Sequence, residues 1–176
     1  SEFKKELLKG KEYDFILFYN SRNIRRKSPS DLIAGYRLFC DTIGKEKAKK
    51  CLLLMHTDPI DQHGTDLFAI RDLLSDADYV NVDFTEAKFP PPQMKYLYNL
   101  IDVTCLPSSN EGWGLSLTES LMCSKMIIGN VTGGIQDQMR FVDESGKWID
   151  FDKNFCSNHF GTYKTLSLIH ISEPTR

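Results

Sequence analysis

Short apolar runs at 14–20, 51–57, 79–84, 102–106 and 126–129, with a further one at 147–151, alternate with segments whose apolar residues recur on a helical period. No other feature restricts the fold so strongly, because a short buried run reads as a strand and a 3.6-residue repeat as a helix. Gly64 to Leu74, with Leu67, Ile70, Leu73 and Leu74, carries that repeat, as does Pro92 to Ile101 with Met94, Leu97, Tyr98 and Ile101. Strand and helix in alternation imply right-handed βαβ units, so the expected fold is α/β with a doubly wound parallel sheet. Sheets of this kind hold ligands at the carboxyl ends of their strands.

Composition narrows the function classes. Of 176 residues, 41% are hydrophobic and 26% charged, which suits one packed core and not a disordered chain. A formal net charge of -2 argues against wholesale nucleic-acid binding, and the cluster Arg25-Arg26-Lys27 is too short to reverse that. No apolar run is long enough for a membrane-crossing helix, and no signal peptide is visible at the first residues. Cys40, Cys51, Cys105, Cys123 and Cys156 lack CxxC spacing and read as buried free thiols of a reducing compartment, so a cytoplasmic location is expected.

Two loops carry the chemistry. The first follows the apolar run Asp14 to Asn20 and reads Ser21-Arg22-Asn23-Ile24-Arg25-Arg26-Lys27. A helix should start just after it, with Ser28 as N-cap, Pro29 at the first helical position and Asp31 completing an approximate capping box. Its buried stripe would be Leu32, Ile33, Tyr36, Phe39, Cys40 and Ile43. The second loop, Pro107-Ser108-Ser109-Asn110-Glu111-Gly112-Trp113-Gly114, leads into a helix from Leu115 to Cys123 with apolar residues at Leu115, Leu117, Leu121 and Met122. Gly112 and Gly114 let backbone approach a ligand closely, and the following helix start offers unpaired N–H groups to an anion. Glu111 then stands beside whatever binds, and Glu119, two turns on, can accept hydrogen bonds from sugar hydroxyls.

The order Pro-Ser, two residues, Glu-Gly-aromatic-Gly-Leu, then a second Glu followed by Leu121-Met122 resembles the EX7E motif of GT-B glycosyltransferases, group 1, the retaining nucleotide-sugar-dependent set. The resemblance implies a Rossmann-like C-terminal half of a GT-B fold at 1–164, with an N-terminal acceptor domain missing from this sequence. It implies transfer of a sugar from a nucleoside diphosphate sugar to an unknown acceptor (glycan, lipid or protein), a hexosyltransferase type of reaction. An isolated fragment would be inactive. In the resembled family an Arg and a Lys five positions apart hold the donor diphosphate, which assigns Arg22 and Lys27 as the clamp and Glu111 as the residue that positions the donor sugar. The donor-binding set is then Ser21, Arg22, Lys27, Phe84, Glu111, Gly112, Trp113, Gly114, Leu115 and Glu119. Ser21 replaces the family's frequent Gly, and the glycine usual near Phe84 is absent, which leaves the base open. No cofactor or essential metal is expected.

Other groupings have competing readings. His56, Thr57, Asp58, Asp61 and His63 could hold a metal ion, but their spacing around Pro59 is irregular, and a polar strand end facing the cleft reads better. Asp76-Ala77-Asp78 and Asp150-Phe151-Asp152 each spell DxD and are discounted, the first as a turn and the second for its distance in sequence from both loops. Gly133-Gly134-Ile135-Gln136-Asp137 resembles the family's Gly-Gly turn and reads equally as a plain helix start. Phe84 could stack on a base or fill the core, and Trp113 could wall the sugar pocket or pack on its helix. Residues 165–176 look like a non-native tail, so His170 receives no role. Rival functions are a nucleotide-binding module without catalysis and a GT-B epimerase or phosphorylase; a dehydrogenase is disfavoured because no G-x-G-x-x-G follows the first strand.

Overall fold

The computed structural model describes residues 2–75, 77–85, 88–130, 132–138, 141–142 and 148–149. Asp76, the Asp150-Phe151-Asp152 sequence, Cys156 and the 165–176 tail lie outside the described residues.

Five parallel strands form the sheet: β1 (Phe15–Asn20), β2 (Cys51–His56), β3 (Val82–Thr85), β4 (Val103–Leu106) and β5 (Met126–Gly129). Their spatial order is β3-β2-β1-β4-β5. β1 and β2 are buried along almost their whole length, which explains why FILFY and CLLLM are continuous apolar runs and not alternating ones. The third strand begins at Val82, later than the expected 79, because Tyr79 and Val80 close a turn and the Asn81 amide donates to the carbonyls of Lys49 and Cys51. Trp148–Ile149 (β7) pairs antiparallel with Phe141–Val142 (β6) as a separate ribbon, so the expected run at 147–151 does not extend the parallel sheet.

The helices divide between two faces. On one face α2 (Pro29–Ile43) and α4 (Leu67–Leu74) bury Leu32, Ile33, Tyr36, Cys40 and Leu67 against Leu17, Tyr19, Leu53 and Met55. On the other, α5 (Pro91–Leu100) sets Leu97 and Tyr98 against Ile16, Phe18, Leu52 and Leu54. Each fully buried side chain of this size contributes about 1.5–3 kcal/mol. Phe39, expected in the α2 stripe, is 37% exposed at the margin of its helix. Ser28 does stand at the α2 N-cap, but with φ 50° and no side-chain cap. A 3-10 turn at Arg25–Lys27 runs straight into the helix, and the Ser28 N–H is taken up by the Arg25 carbonyl at 3.2 Å.

The helix α6 (Leu115–Met122) departs from its apolar pattern. Leu117 is buried, whereas Leu115 and Met122 are exposed, and the face toward the sheet carries Ser116 and Ser120. Ser120 Oγ donates to Thr104 Oγ1 at 2.8 Å, so small hydroxyl residues let α6 lie close on β4. Cys40, Cys51, Cys105 and Cys123 are free thiols, the last only half-buried.

Candidate functional site

The chain runs from β1 outward to β2 and β3, then returns across the sheet to β4 and β5 on the other side of β1. The reversal leaves a crevice between the loops that follow β1 and β4, where an open α/β sheet binds its ligand. Both loops singled out by sequence lie there, and they are fastened together. Ser109 N–H donates to the Arg26 carbonyl at 2.8 Å, and Arg26 Nη1 donates to the Asn110 carbonyl at 2.6 Å.

The acidic loop is braced from behind by Gly133 and Gly134. Gly134 N–H donates to the Glu111 carbonyl at 2.9 Å, and Thr132 Oγ1 to the Ser109 carbonyl at 3.0 Å. A Cβ on either glycine would overlap the carbonyl oxygen of Glu111 or Gly112, and Gly133 also has a φ of +50°. The Gly-Gly pair is thus required by backbone packing against the acidic loop, before α7 (Ile135–Gln138) begins.

A cleft of about 410 Å³ opens between the loops, lined among others by Asn20, Ser21, Lys27, Glu111, Trp113 and Glu119. Gly114, Leu115 and Ser116 complete one wall where α6 starts, and Gly114 adopts a φ of 80° that favours glycine. Across the cleft, Lys27 Nζ forms an ion pair with Glu111 Oε1, with side chains 11% and 5% exposed, and Arg26 Nη1 lies 3.5 Å from Glu111 Oε2. Burial works against the Glu111 charge, but the Lys27 hydrogen bond and the charges of Lys27 and Arg26 prevail and hold its carboxyl below the usual range. Glu111 is therefore an anion at neutral pH, matched by an adjacent cation.

Glu119 reaches the same cleft from α6. Its Oε2 accepts from the buried Tyr98 hydroxyl at 2.6 Å, and that hydroxyl oxygen accepts from Asn20 Nδ2 at 2.9 Å. In sequence Tyr98 is one member of a helix stripe, and neither Asn20 nor Arg26 carries a motif of its own. Nothing in a helical period reveals that a stripe residue ends in a hydroxyl aimed at a carboxylate 21 positions away.

Two expected residues, Arg22 and Phe84, are placed differently. Arg22 does not line the cleft and turns to the loop after β2, where Nε and Nη2 donate to Asp61 Oδ2 and Oδ1 at 2.6 and 3.0 Å. The Arg22 hydrogen bonds, with one from His63 N–H, lower the Asp61 pKa to about 2. Asn23, fully buried, ties the two loops by donating to the carbonyls of Pro59 and Thr65. Phe84 is not brought to the cleft; it lies on β3 and packs edge-on against Phe68 at 5.3 Å. Trp113 lines the cleft mouth while its Nε1 donates to Thr118 Oγ1 at 2.8 Å, so the ring is both a wall and a packing element. Gly112 sits between Glu111 and Trp113 with open space where a Cβ would lie.

The grouping after β2 is not assembled around a point. His56 Nδ1 lies 3.1 Å from the Thr85 carbonyl, Asp58 accepts from Ile60 N–H, and Asp61 is engaged by Arg22. Among the described residues no three His, Cys, Asp or Glu side chains gather closely enough to hold a metal ion. No helix among the described residues is long and apolar enough to cross a membrane.

The family model described as glycosyl transferases group 1 matches residues 1–152. A D-inositol 3-phosphate glycosyltransferase of Thermomonospora curvata is 37% identical over 65 residues, which are 37% of this chain and 15% of that protein. The C-terminal domain of a glycosyl transferase group 1 family protein of Francisella tularensis superposes with a TM-score of 0.60 at 15% identity, covering 85% of this chain and 75% of that one. An Anabaena protein, HepE, in complex with UDP and glucose, superposes with a TM-score of 0.55 at 18% identity, covering 78% of this chain and 34% of that one. This chain thus spans well under two thirds of the Thermomonospora and Anabaena proteins. The solved neighbours are GT-B glycosyltransferases, and what they share with this chain is the Rossmann-like sheet.

Proposed function

This chain belongs to the glycosyl transferases group 1 family, and we propose that its cleft binds a nucleoside diphosphate sugar for transfer, with retention of configuration, to an acceptor held by a second domain. One observation carries the reading: Lys27 from the loop after β1 and Glu111 from the loop after β4 meet across the reversal point of the sheet, with Glu119 on the adjoining wall.

The roles follow from charge and position. Lys27 exchanges its Glu111 partner for a phosphate oxygen, and Arg22 swings from Asp61 to supply a planar fork to the same diphosphate. Amides from Gly112 to Leu115 at the start of α6 add N–H donors to that anion. Glu111, released from Lys27, positions the donor sugar, and Glu119 accepts from the ribose hydroxyls. In the reaction the bond between the anomeric carbon and the diphosphate oxygen breaks, the nucleoside diphosphate leaves with the electron pair, and the acceptor hydroxyl oxygen bonds to the anomeric carbon on the same face while its proton passes to the departing diphosphate oxygen. Protein cations meet the departing charge in this reading without an essential metal ion, and the loss of one such group raises the barrier by about 2–4 kcal/mol. Donor turnover, of the hexosyltransferase type and cytoplasmic, then belongs to a protein that includes the acceptor domain, whereas donor binding belongs to this chain.

Calorimetric titration of this chain with UDP, GDP, ADP and their sugars, with and without magnesium, tests the reading. Binding of one nucleoside diphosphate, unchanged by a chelator, is expected. Binding of NAD in preference, or of none of the panel, would overturn it.

A further inference from the structure

We propose that Tyr98 is a positioning residue that sets ribose selectivity, acting through Glu119. The proposal rests on the donor-cleft reading above and adds to it a residue outside both loops. Tyr98 lies on α5 with 1% of its surface exposed, and its ring packs edge-on against Phe18 at 5.4 Å. Only the hydroxyl reaches toward the cleft. There it accepts from Asn20 Nδ2 at 2.9 Å, a bond that occupies a lone pair of the hydroxyl oxygen and leaves its proton for Glu119 Oε2 at 2.6 Å.

The consequence is directional. Burial, first, and then the hydrogen bond to Glu119 push the Tyr98 pKa far above its ordinary value, so the hydroxyl remains a donor through the working range. A glutamate on a helix surface samples several rotamers, and the loss of that freedom opposes ligand binding. With Oε2 held by Tyr98, the carboxylate is fixed before any ligand arrives, and among the described residues Oε1 has no hydrogen-bond partner. A carboxylate held this way accepts from a hydroxyl at one defined place, and a ribose diol, not a dideoxyribose, supplies it. Asn20 lines the cleft at the end of β1, so the chain Asn20, Tyr98, Glu119 joins three separate elements around that one acceptor.

The test is a double-mutant cycle read by calorimetry with UDP, GDP and ADP and with their 2′,3′-dideoxy counterparts. Wild type should prefer the best-bound ribonucleotide over its dideoxy form by about tenfold or more, as expected for a hydrogen bond to a charged acceptor. Tyr98→Phe, which keeps the ring and its contact with Phe18, should cut that preference at least threefold while the dideoxy affinity stays within about twofold. Glu119→Gln should lower the preference, and adding Tyr98→Phe to it should change nothing further. Equal weakening of both nucleotides by Tyr98→Phe, or an additive double variant, would make Tyr98 merely structural and overturn the proposal. Should Tyr98→Phe unfold, Glu119→Asp, which withdraws the carboxylate from Tyr98, must reproduce the loss of preference or the proposal falls. A wild type that binds no nucleoside diphosphate would instead sink the donor-cleft reading, and a wild type that binds one without ribose preference would sink only the role of Tyr98.

Discussion

Two ion pairs start from the same turn and end in different surroundings. Lys27 crosses the cleft to Glu111, and both side chains are nearly buried; Arg22, five positions earlier, turns away to Asp61, and there the carboxylate is 10% exposed but the guanidinium side chain 57%. The first pair joins the loops after β1 and β4, across the reversal of strand order, and the second joins the loops after β1 and β2, which lie on one side of it. Burial decides what each pair means. A buried carboxylate depends on its partner, whereas an exposed guanidinium can change partners at little cost. The turn therefore has a fixed end at Lys27 and a free end at Arg22, and a ligand entering the cleft must compete at the fixed end.

The largest effect expected from this contrast is that of Lys27→Ala. Removing the ammonium leaves Glu111 buried without its main partner and should cost about 3 kcal/mol in urea unfolding while the fold persists, with donor turnover abolished in the full enzyme. An unchanged urea midpoint would show that the pair contributes nothing, and unchanged turnover would refute the role of Lys27. Gly133→Ala should follow. The added Cβ meets the Glu111 backbone at a positive φ, so a loss of about 1–3 kcal/mol is expected in the same assay, with weaker nucleotide binding because the acidic loop is pushed from its place.

Acid separates the pairs further. The Glu111 pKa is lowered in the folded protein, so its contribution is complete above the ordinary glutamate value of about 4.3 and is lost as pH falls through the lowered value. Asp61 behaves with the same sign, but its contribution is lost later, as pH falls from about 3.9 toward its folded value of about 2. Urea midpoints measured from pH 6 downward should fall less steeply in Glu111→Gln than in wild type; parallel curves would contradict the assignment. Asp61→Asn should have the smallest effect on stability, less than Lys27→Ala and diminishing with added salt. A midpoint loss as large as that of Lys27→Ala would erase the distinction between fixed and free ends.

The sheet was legible in the sequence because its central strands are apolar on both faces, and FILFY and CLLLM admit no other role. Legibility fell at the margins. Tyr79 and Val80 are apolar enough to extend a strand, yet the Asn81 side chain satisfies neighbouring carbonyls and starts the strand later. In α6, Ser116 and Ser120 face the sheet beside Leu117 while Leu115 and Met122 are exposed, a departure that hydrophobic period misreads because close helix approach favours small hydroxyl residues. Of the cleft lining, Lys27, Glu111 and Glu119 were legible through the motif resemblance, whose residues lie within two short segments of sequence. Asp61, Arg26, Asn20 and Tyr98 were not, since their roles depend on partners up to 85 positions away that only the strand order brings near.

In the proposed function a nucleoside diphosphate enters between the loops after β1 and β4. Amide chemical-shift mapping by NMR during titration with UDP, GDP and ADP reads that location residue by residue. Shifts gathered at residues 20–27 and 111–119 are predicted; shifts confined to the opposite sheet edge, around Phe15 and Cys51, or none at saturating nucleotide, would contradict it.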